Sequence, residues 1–309
     1  WVIVVMDQLI KDALSIKNLR NLGFAGSGCI NEGEKYDSEK GKLFVKRNSK
    51  SGAKAMFEGE FASLKAIAET NTVNVPSPLA VIDRGPSGAA LVMSWLDMKN
   101  LTKYQSKLGK QLADMHLANK SLLDKSSDNS TVGKPCVTPV VQFGFHNTTC
   151  CGYLPQDNSW KDDWVEFYAQ NKLQQQISML EKEHGDREAL NLWSELSLKI
   201  PTFFKDVEVF PSLLHGDLWG GNAAEIDDGP VIYDPASFYG HHEFDLAIAD
   251  MFGGFGNSFY DSYHSVIPKQ ALFSSRHNLY QLFHYLNHWN HFGGGYRGQS
   301  ISIMKKLLK

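Results

Sequence analysis

Two aspartates and one asparagine stand at a spacing that suits transfer of a phosphoryl group. Asp217 and Asn222 lie five residues apart within residues 215–222, and Asp234 follows directly after the apolar stretch 231–233. In such a reaction one carboxylate accepts or orients the proton of the attacking hydroxyl, while an amide and a second carboxylate hold a divalent cation against phosphate oxygens. We therefore predict that Asp217 is the catalytic residue and that Asn222 and Asp234 are ligands of Mg²⁺.

The spacing is that of the catalytic loop H-R-D-x-x-x-x-N of protein kinases, followed by the Asp of D-F-G. The sequence departs from that pattern in two places, with Gly216 in place of the Arg and with Pro235 and Ala236 in place of Phe-Gly. These departures are typical of aminoglycoside and choline kinase-like enzymes. Since no A-P-E segment is visible either, a small molecule or sugar is the expected acceptor. If each Asp stood alone, it could equally be an ordinary turn residue.

A lysine that meets the nucleotide phosphates is expected before this loop. Lys46 ends the predicted strand 43–46, where it would neutralise the α- and β-phosphates of ATP. An acidic residue on the following helix should hold this lysine in place. Glu60 is the predicted partner because it falls on the stripe that faces the sheet, and Glu58 is the rival.

Two further segments are predicted to enclose the ATP. Gly28 lies in the glycine-studded loop 26–33, whose backbone N–H groups would cover the phosphates. The strand that contains Leu91 runs into a predicted hinge between two lobes. Backbone groups of Ser94, Trp95 and Leu96 would meet the adenine there.

The elements that must position these residues fall into two groups. Residues 6–97 are predicted to form a sheet-rich nucleotide-binding lobe, and residues 98–309 a mainly helical lobe for catalysis and substrate binding. The predicted fold class is α+β, in the two-lobed, protein-kinase-like form of aminoglycoside and choline kinases. The predicted helices span 7–20, 53–68, a stretch around 108–115, 164–183, 186–200, 243–252, 258–266, 277–292 and 300–308. The predicted strands span 43–46, 75–83, 89–95, 207–214 and 230–233, and residues 121–139 are predicted to form a mobile loop.

Composition excludes several classes of function. The 309 residues carry a net charge of -3, which gives no electrostatic reason to expect nucleic acid or an anionic membrane as a partner. No apolar run approaches the roughly 20 residues that a membrane span requires. Four cysteines are too few for a disulfide framework, and the eleven histidines form no HExxH motif. We therefore expect a reduced protein of the cytosol, with Met6 rather than residues 1–5 as its natural start.

Long blocks of the sequence resemble the fructosamine-3-kinase and ketosamine-3-kinase family, from Met6 to Lys309. The blocks are residues 28–30, 56–60, 143–145, 149–152, 213–219, 234–241 and 286–293. Residues 220–222 and 285–298 look more like the ketosamine-3-kinase branch.

The resemblance implies a repair reaction on glycated proteins and on small ketosamines, with ATP and Mg²⁺ as cofactors. Members of this family phosphorylate the 3-hydroxyl of a ketosamine on a lysine, and the product then eliminates spontaneously and frees the amine. The ketosamine branch prefers ribulosamines and psicosamines. A fructosamine 3-kinase, another small-molecule kinase, or a pseudokinase scaffold without turnover are the alternatives.

The acceptor sugar is expected to bind beside Asp217. Trp219 lies two residues further along the same loop, and His288 and Trp289 close a predicted helix. Aromatic faces and imidazole donors suit a polyhydroxylated ligand, so these three are predicted to contact substrate. For Trp289, packing in a helical core is an equally good interpretation. His116, Asp245 and His264 are predicted to be structural.

Cys29 is a candidate redox switch because it lies in the glycine loop near backbone N–H dipoles and Lys46. That setting favours the thiolate, which is the form that oxidises. Its oxidation would block the loop or join two subunits, so the chain is expected to be a monomer or a redox-linked homodimer. Cys150 and Cys151 form a competing site, and a buried, unreactive Cys29 is the alternative.

Overall fold

The structure is a computed structural model that describes residues 2–27, 31–127 and 138–309. The predictions for Gly28 and Cys29 therefore lie outside the described residues. Within them, an antiparallel sheet comes first and a mainly helical remainder follows, which confirms the predicted order of a sheet-rich and a helical lobe. No helix among the described residues is long and apolar enough to cross a bilayer.

The first part of the chain is a five-stranded antiparallel sheet with one helix on each face. The strand order is β1-β2-β3-β5-β4, and neighbouring strands are all antiparallel. Its elements are α1 (Val2–Leu14), β1 (Leu19–Ser27), β2 (Glu32–Ser38), β3 (Gly41–Asn48), α2 (Ala53–Glu69), β4 (Pro78–Asp83) and β5 (Ala89–Ser94).

Alternation along β3 decides which helix each side chain meets. Leu43 and Val45 point to one face, where they pack in a cluster with Met6 and Ile10 of α1. Phe44 lies on the other face, in the cluster that contains Phe57 of α2. Because side chains alternate along a strand, Lys46 falls on the same face as Phe44 and points toward α2.

The second part is built from helices around one large core, with short strand pairs between them. Its helices are α3 (Gln105–Ser127), α4 (Trp164–Glu166), α5 (Gln175–His184), α6 (Arg187–Lys199), α7 (Glu243–Met251), α8 (Asn257–Val266), α9 (Phe273–Phe292) and α10 (Arg297–Leu308). Its strands, together with the short strand that leads into it, are β6 (Lys99–Asn100), β7 (Cys150–Cys151), β8 (Leu154–Pro155), β9 (Ser212–Leu213), β10 (Ala223–Ile226), β11 (Gly229–Ile232) and β12 (Tyr239–Gly240).

The connection between the two parts runs through β6. This strand pairs with β10, and β10 pairs with β11, so the chain joins the hairpin that lies between Asn222 and Asp234 soon after it leaves β5. The isolated bridge between Asn74 and Val231 adds a second link, because Ile232 donates its N–H to Asn74 O at 3.0 Å. The division at residues 97 and 98 stays a prediction.

Three predicted elements differ from the structure. The helix predicted at 7–20 ends at Leu14, because Ser15 takes a left-handed conformation with φ of 52° and the chain then enters β1. The loop predicted at 121–139 begins as helix, since α3 continues to Ser127. The strand predicted at 207–214 is reduced to β9, with residues 207–211 in irregular conformation.

The helix predicted at 164–183 contains wider turns. Between α4 and α5, residues Phe167–Gln174 form π-type turns, with i to i+5 hydrogen bonding, so that the whole run continues without a break. Wider turns of this kind change the direction in which successive side chains point, and they occur frequently at functional sites.

Three neutral histidines are buried in the helical core. His241 Nδ1 lies 2.7 Å from Tyr280 Oη, and His242 Nδ1 lies 3.1 Å from Tyr263 Oη. Neither ring nitrogen of His284 meets a partner in the described part of the chain. Burial lowers the pKa of His242 and of His284 to about 3, and burial lowers that of His241 as well.

We predict that these buried histidines make the chain less stable in mild acid. The unfolded chain binds protons at these histidines below about pH 6.5, whereas the folded chain keeps them neutral. Stability is therefore complete above about pH 6.5 and falls as the pH drops toward 3, by at most about 1.4 kcal/mol per histidine per pH unit. Urea unfolding between pH 7.5 and pH 5 measures this slope.

Two variants test whether the buried histidines cause this pH dependence of the free energy of unfolding. His284→Leu should lower the proton uptake on unfolding by close to one proton, because one neutral buried imidazole is gone. His146→Gln should leave the slope unchanged, because His146 is exposed in the folded chain. A free energy of unfolding that stays flat over this pH range would contradict the assignment.

Candidate active site

Lys46, Glu60 and Asp234 form one charged cluster between the sheet and the helical part. The ammonium of Lys46 lies 2.9 Å from each carboxylate oxygen of Glu60 and 3.0 Å from Asp234 Oδ1. Lys46 and Glu60 are buried, whereas the Asp234 side chain is 45% exposed and open to a ligand. Burial by itself lowers the pKa of Lys46, but the two carboxylates outweigh it and raise the net value, so the ammonium stays charged.

The structure decides between Glu60 and Glu58. Glu60 faces the sheet and holds Lys46, as predicted, while Glu58 lies on the exposed side of α2. The residue between them, Gly59, has no room for a side chain, because a Cβ there would collide with the backbone carbonyl of Thr148. The glycine thus lets residues 148–149 approach α2 closely.

Asp234 has a backbone conformation that L-residues rarely adopt. Its φ is 56°, directly before Pro235, which disfavours most helical conformations of the residue that precedes it. Left-handed conformations of residues other than glycine are held in place by their surroundings and cluster at functional sites. Here the conformation turns the carboxylate away from β11 and toward Lys46.

The catalytic loop holds Asp217 and Asn222 together. Asn222 Nδ2 donates to Asp217 O at 2.8 Å and to Asp217 Oδ2 at 3.3 Å. Tyr233 fixes the far side, because its N–H donates to Asn222 O at 3.0 Å and its hydroxyl donates to Gly221 O at 2.7 Å. The β10–β11 hairpin therefore sets the distance between Asn222, at its start, and Asp234, beyond its end.

Asp245 supports this loop from beneath. Its buried carboxylate accepts the N–H of His215 at 2.7 Å and that of Gly216 at 2.8 Å, and His116 Nε2 lies 3.1 Å from it. Burial would raise the pKa of Asp245, but these hydrogen bonds and the charge of His116 keep it below its usual value. His116 and Asp245 thus have the structural role predicted for them, as does His264, whose Nδ1 lies 3.1 Å from Ile267 O.

Gly216 is required where the kinase pattern has Arg. Its φ is 84°, and a Cβ would collide with the carbonyl oxygen of Ala236. Ala236 donates its own N–H to His215 O at 2.8 Å. The catalytic loop and the segment after Asp234 are therefore in backbone contact, which fixes Asp217 relative to Asp234.

The donors around Asp217 fit a phosphate-bound Mg²⁺. Because Asn222 Nδ2 is engaged with Asp217, its Oδ1 is the atom left for a cation, and Asp234 offers a partly exposed carboxylate. Among the described residues, no three His, Cys, Asp or Glu side chains form a cluster of their own for a metal. Mg²⁺ typically takes one or two protein oxygens and completes its shell with phosphates and water, so this donor set suits it.

The electrostatic setting of Asp217 suits a base that works near neutral pH. Burial and the neighbouring Asp234 together raise the pKa of Asp217 to about 7, although the hydrogen bond from Asn222 opposes them. General bases work best when their pKa is close to the operating pH.

The contact of Ser94, Trp95 and Leu96 with adenine stays a prediction, and the backbone limits how it could be made. Ser94 ends β5, and the chain continues through Trp95 and Leu96 toward β6. The N–H of Trp95 donates to Lys42 O at 3.0 Å and that of Ser94 to Ser77 O at 2.9 Å. Neither N–H is therefore free for adenine, so a contact from these two residues would use their carbonyl groups.

The three predicted substrate residues do not share one environment. Trp219 is 39% exposed, and its ring meets Phe252 at 6.0 Å between centroids. Phe252 lies 5.1 Å from His288, which in turn lies 5.1 Å from Tyr296. These four rings form a continuous aromatic face beside the catalytic loop.

Trp289 is a correction to the predicted substrate set. It is 2% exposed and belongs to the helical core, with the exposed His184 ring stacked against it, so packing is the interpretation that its burial supports. It follows His288 on α9, and neighbouring residues of a helix point in directions about 100° apart. Trp289 therefore points into the core, whereas His288, one residue earlier, points toward the rings of Phe252 and Tyr296.

Sequence reasoning missed several residues of this region. Phe252 was read only as the end of a helix, and Tyr296 only as part of a family block. Cys151 has a place in the sequence analysis as a competing redox site and within a family block, yet it is buried beside Asp217, and Asn287 Nδ2 lies 3.2 Å from its Sγ. Burial raises the pKa of Cys150 to about 11 and that of Cys151 well above its usual value, so neither is a reactive thiolate at neutral pH.

Comparison with known proteins gives the family. The sequence profile of the fructosamine kinases matches residues 2–309. The chain belongs to the fructosamine kinase family. It is 57% identical to mouse ketosamine-3-kinase over 309 residues, covering 98% of this chain and all of the mouse protein. It is 38% identical to the chloroplastic protein-ribulosamine 3-kinase of Arabidopsis thaliana, covering 94% of this chain and 83% of the plant protein.

Solved structures confirm the fold class. A Thermobifida fusca protein assigned as a fructosamine-3-kinase superposes with a TM-score of 0.81 at 26% identity, covering 98% of each chain. An aminoglycoside phosphotransferase solved with ADP superposes with a TM-score of 0.57 at 15% identity, covering 98% of this chain and 95% of the other. The predicted α+β, protein-kinase-like fold is therefore correct, and the family resemblance seen in the sequence is confirmed.

We predict that Asp245→Asn lowers kcat by up to about 100-fold, because the loop N–H groups lose a charged acceptor and Asp217 can then move by up to about 1 Å. The KM for ATP should change little, since Lys46 and Asp234 are untouched. Steady-state kinetics and a circular dichroism check of folding provide the measurement. Asp250→Asn on the same helix is the control, because that carboxylate is exposed. Normal kcat in the folded Asp245→Asn variant would refute the supporting role.

Proposed function

We propose that the chain is an ATP- and Mg²⁺-dependent kinase that phosphorylates the 3-hydroxyl of ketosamines, with ribulosamine and psicosamine on protein lysines as its preferred acceptors. The observation that carries the proposal is the assembled set of Lys46, Glu60, Asp217, Asn222 and Asp234 in a chain so similar to mouse ketosamine-3-kinase. A pseudokinase scaffold would have no need to keep all five in place.

Each residue has a distinct part in the transfer. Asp217 accepts the proton of the sugar 3-hydroxyl, and the hydroxyl oxygen attacks the terminal phosphorus of ATP, whose bond to the bridging oxygen breaks so that ADP leaves. Lys46, held by Glu60, neutralises charge on the nucleotide phosphates. Asn222 and Asp234 would hold Mg²⁺, which supplies positive charge at the phosphate oxygens when bound. The protein thus positions the reactants and stabilises developing charge, which is the main requirement of phosphoryl transfer.

The consequence of phosphorylation lies in the product. In the C1-imine tautomer of the adduct the phosphate on C3 stands β to the imine carbon, so it leaves by elimination. Hydrolysis of the C–N bond then releases a dicarbonyl sugar and restores the lysine amine. The enzyme would therefore deglycate proteins without cleaving the adduct itself.

The aromatic face formed by Trp219, Phe252, His288 and Tyr296 is the proposed acceptor side. It begins in the catalytic loop, and Trp219 and Phe252 are both partly open to solvent. Aromatic surfaces suit the apolar face of a sugar. His288 Nδ1 donates to His284 O at 2.7 Å, which leaves its Nε2 to accept from a sugar hydroxyl. Phe292 extends this face outward, with its ring 5.7 Å from His288 and 61% exposed, where it can meet the protein that carries the sugar.

Three broader expectations accompany the proposal. We propose that the chain acts in the cytosol, on glycated proteins and free ketosamines, without nucleic acid or membrane as a partner. The redox role of Cys29, and a monomer or a homodimer linked through it, stay predictions. Activity and a non-reducing gel of Cys29→Ser, with and without peroxide, would test both.

We predict that Asp217→Asn retains nucleotide binding and loses turnover by about 100-fold to 10,000-fold, since the general base is removed. ADP release with ribulosyl-lysine and the affinity for a fluorescent ADP analogue measure the two effects. Asp234→Ala should instead weaken nucleotide binding, and mainly when Mg²⁺ is present, because it removes a proposed ligand of the cation. Asp227→Asn in the exposed β10–β11 turn is the control. An Asp217→Asn enzyme with near-normal turnover would exclude Asp217 as the base.

We also predict that ribulosyl-lysine has a higher kcat/KM than fructosyl-lysine. A pocket that fits a five-carbon sugar misplaces the hydroxyl of a six-carbon sugar, and a displacement of about 1 Å can lower the rate about 100-fold. Paired assays of ADP and phosphate release on the two substrates give the ratio. Equal values or a preference for fructosyl-lysine would favour the alternative, a fructosamine 3-kinase. Turnover of choline or an aminoglycoside alone would favour another small-molecule kinase.

A further inference from the structure

A buried lysine lies behind the active site, and the chemistry described above does not use it. Lys172 is fully inaccessible and lies in the wide turns between α4 and α5. Its Nζ lies 2.7 Å from Asn158 Oδ1 and 3.1 Å from Gln156 Oε1, and 4.0 Å above the ring of Phe238. No carboxylate within the described ranges comes close enough to form an ion pair with it. The ammonium is held by two side-chain amides and an aromatic face.

Such a burial is costly. An ammonium without a carboxylate loses its hydration and gains only neutral hydrogen bonds in return. Burial accordingly lowers the pKa of Lys172 to about 7, with Asp157 and Cys151 opposing that shift. A methionine or leucine would fill the same space without this cost. What they would lack is a group that donates hydrogen bonds to both amide oxygens.

Lys172 Nζ donates to the oxygens of both amides, and so it fixes the orientation of both. The oxygens of Gln156 and Asn158 must face the lysine, so their NH₂ groups face away from it. Gln156 Nε2 then donates to Ala236 O at 3.2 Å and to Thr149 Oγ1 at 3.2 Å. Asn158 Nδ2 donates to Thr149 Oγ1 at 2.8 Å and to Asn147 O at 3.0 Å.

These bonds end on the segment that follows Asp234. Ala236 is two residues beyond it and also contacts the catalytic loop through His215 O. Thr149 Oγ1 donates to Ser237 O at 3.2 Å, and Ser237 donates its N–H to Ser63 Oγ at 3.1 Å.

Ser63 carries the chain of contacts into α2. Its hydroxyl donates to Gly59 O at 2.8 Å, next to Glu60. The network therefore starts at Lys172 and ends on backbone close to both carboxylates that hold Lys46: on Ala236, two residues after Asp234, and on Gly59, one residue before Glu60.

We propose that Lys172 is a positioning residue for the nucleotide and its metal: through Gln156 and Asn158 it holds the segment after Asp234, and with it the Asp234 carboxylate, in the orientation that binds Mg²⁺. The inference rests on the proposed kinase function. It concerns only how metal and nucleotide are held, so it is separable from the identity of the acceptor.

The test is Lys172→Met, which keeps length and volume and removes the donor. The measurement is the affinity for ADP with Mg²⁺ and with EDTA, by isothermal titration calorimetry. In the wild type Mg²⁺ should strengthen ADP binding. In Lys172→Met this gain should fall about 10-fold to 100-fold, as for other residues that orient a metal ligand, while affinity in EDTA stays the same. A role in packing alone would lower the melting temperature and leave the Mg²⁺-dependent gain intact, and that result would overturn the proposal.

A second variant covers the case in which Lys172→Met does not fold. Gln156→Met removes the acceptor that faces Lys172 and the donor to Ala236 O, and it should reduce the Mg²⁺-dependent gain in the same way. Tyr168→Phe is the matched control. It removes one buried hydrogen bond in the same wide turns, from Tyr168 Oη to Leu279 O at 2.8 Å, without touching the network. An unchanged gain in Gln156→Met would refute the proposal.

Failure of the proposed function gives a different pattern. If the wild type binds Mg²⁺ and ADP but turns over no ketosamine, the acceptor is wrong and the titrations still decide the role of Lys172. If ketosamine turnover is confirmed and the variants keep the full Mg²⁺-dependent gain, the function stands and the role of Lys172 falls.

Discussion

The three-way contact among Lys46, Glu60 and Asp234 determines where the other functional groups must lie. Lys46 lies on β3, Glu60 on α2 and Asp234 just after β11. The ammonium of Lys46 therefore joins the five-stranded sheet, the helix on its face and the β10–β11 hairpin. Two carboxylates close to one buried cation are stable only while that cation is charged and fully paired. Any shift of α2 or of the Asp234 segment would leave a charge unpaired. The electrostatics of the site therefore hold the two parts of the chain in register.

That contact also requires unusual backbone conformations nearby. Asp234 reaches Lys46 because its φ is positive, and Gly216 passes under Ala236 because it has no side chain. Conformations of this kind cost free energy and persist only where surrounding bonds hold them. Asp245 supplies such bonds to the catalytic loop, and Gln156 supplies one to Ala236 O. Rigid support from the helical core thus compensates for backbone strain at the site.

Sequence reasoning succeeded where function depends on short spacing. Asp217 and Asn222 share one loop, and the strand before Asp234 is short and apolar, so their proximity followed from local geometry. It also located α2 and chose Glu60 over Glu58, because the apolar stripe of a helix shows which face meets the sheet. The sequence was a less reliable guide for Trp289. Adjacent residues of α9 lie in different environments, with His288 on the aromatic face and Trp289 in the core. Sequence reasoning also could not show that residues 207–211 lack a strand partner, since pairing depends on residues distant in sequence.

Lys172 shows why a buried polar network escapes this kind of reasoning. A lysine in a long helical pattern is normally assigned to the solvent face, because a regular helix repeats every 3.6 residues. The wide turns at Phe167–Gln174 break that repeat, and Asn171, Lys172 and Leu173 are all buried in succession. No periodic pattern predicts three adjacent inward-facing residues, and the partners of Lys172 lie more than ten residues away in irregular segments. The same turns that conceal the lysine in the sequence place its ammonium against Gln156 and Asn158, so the irregular helix is itself part of the support for the metal-binding segment.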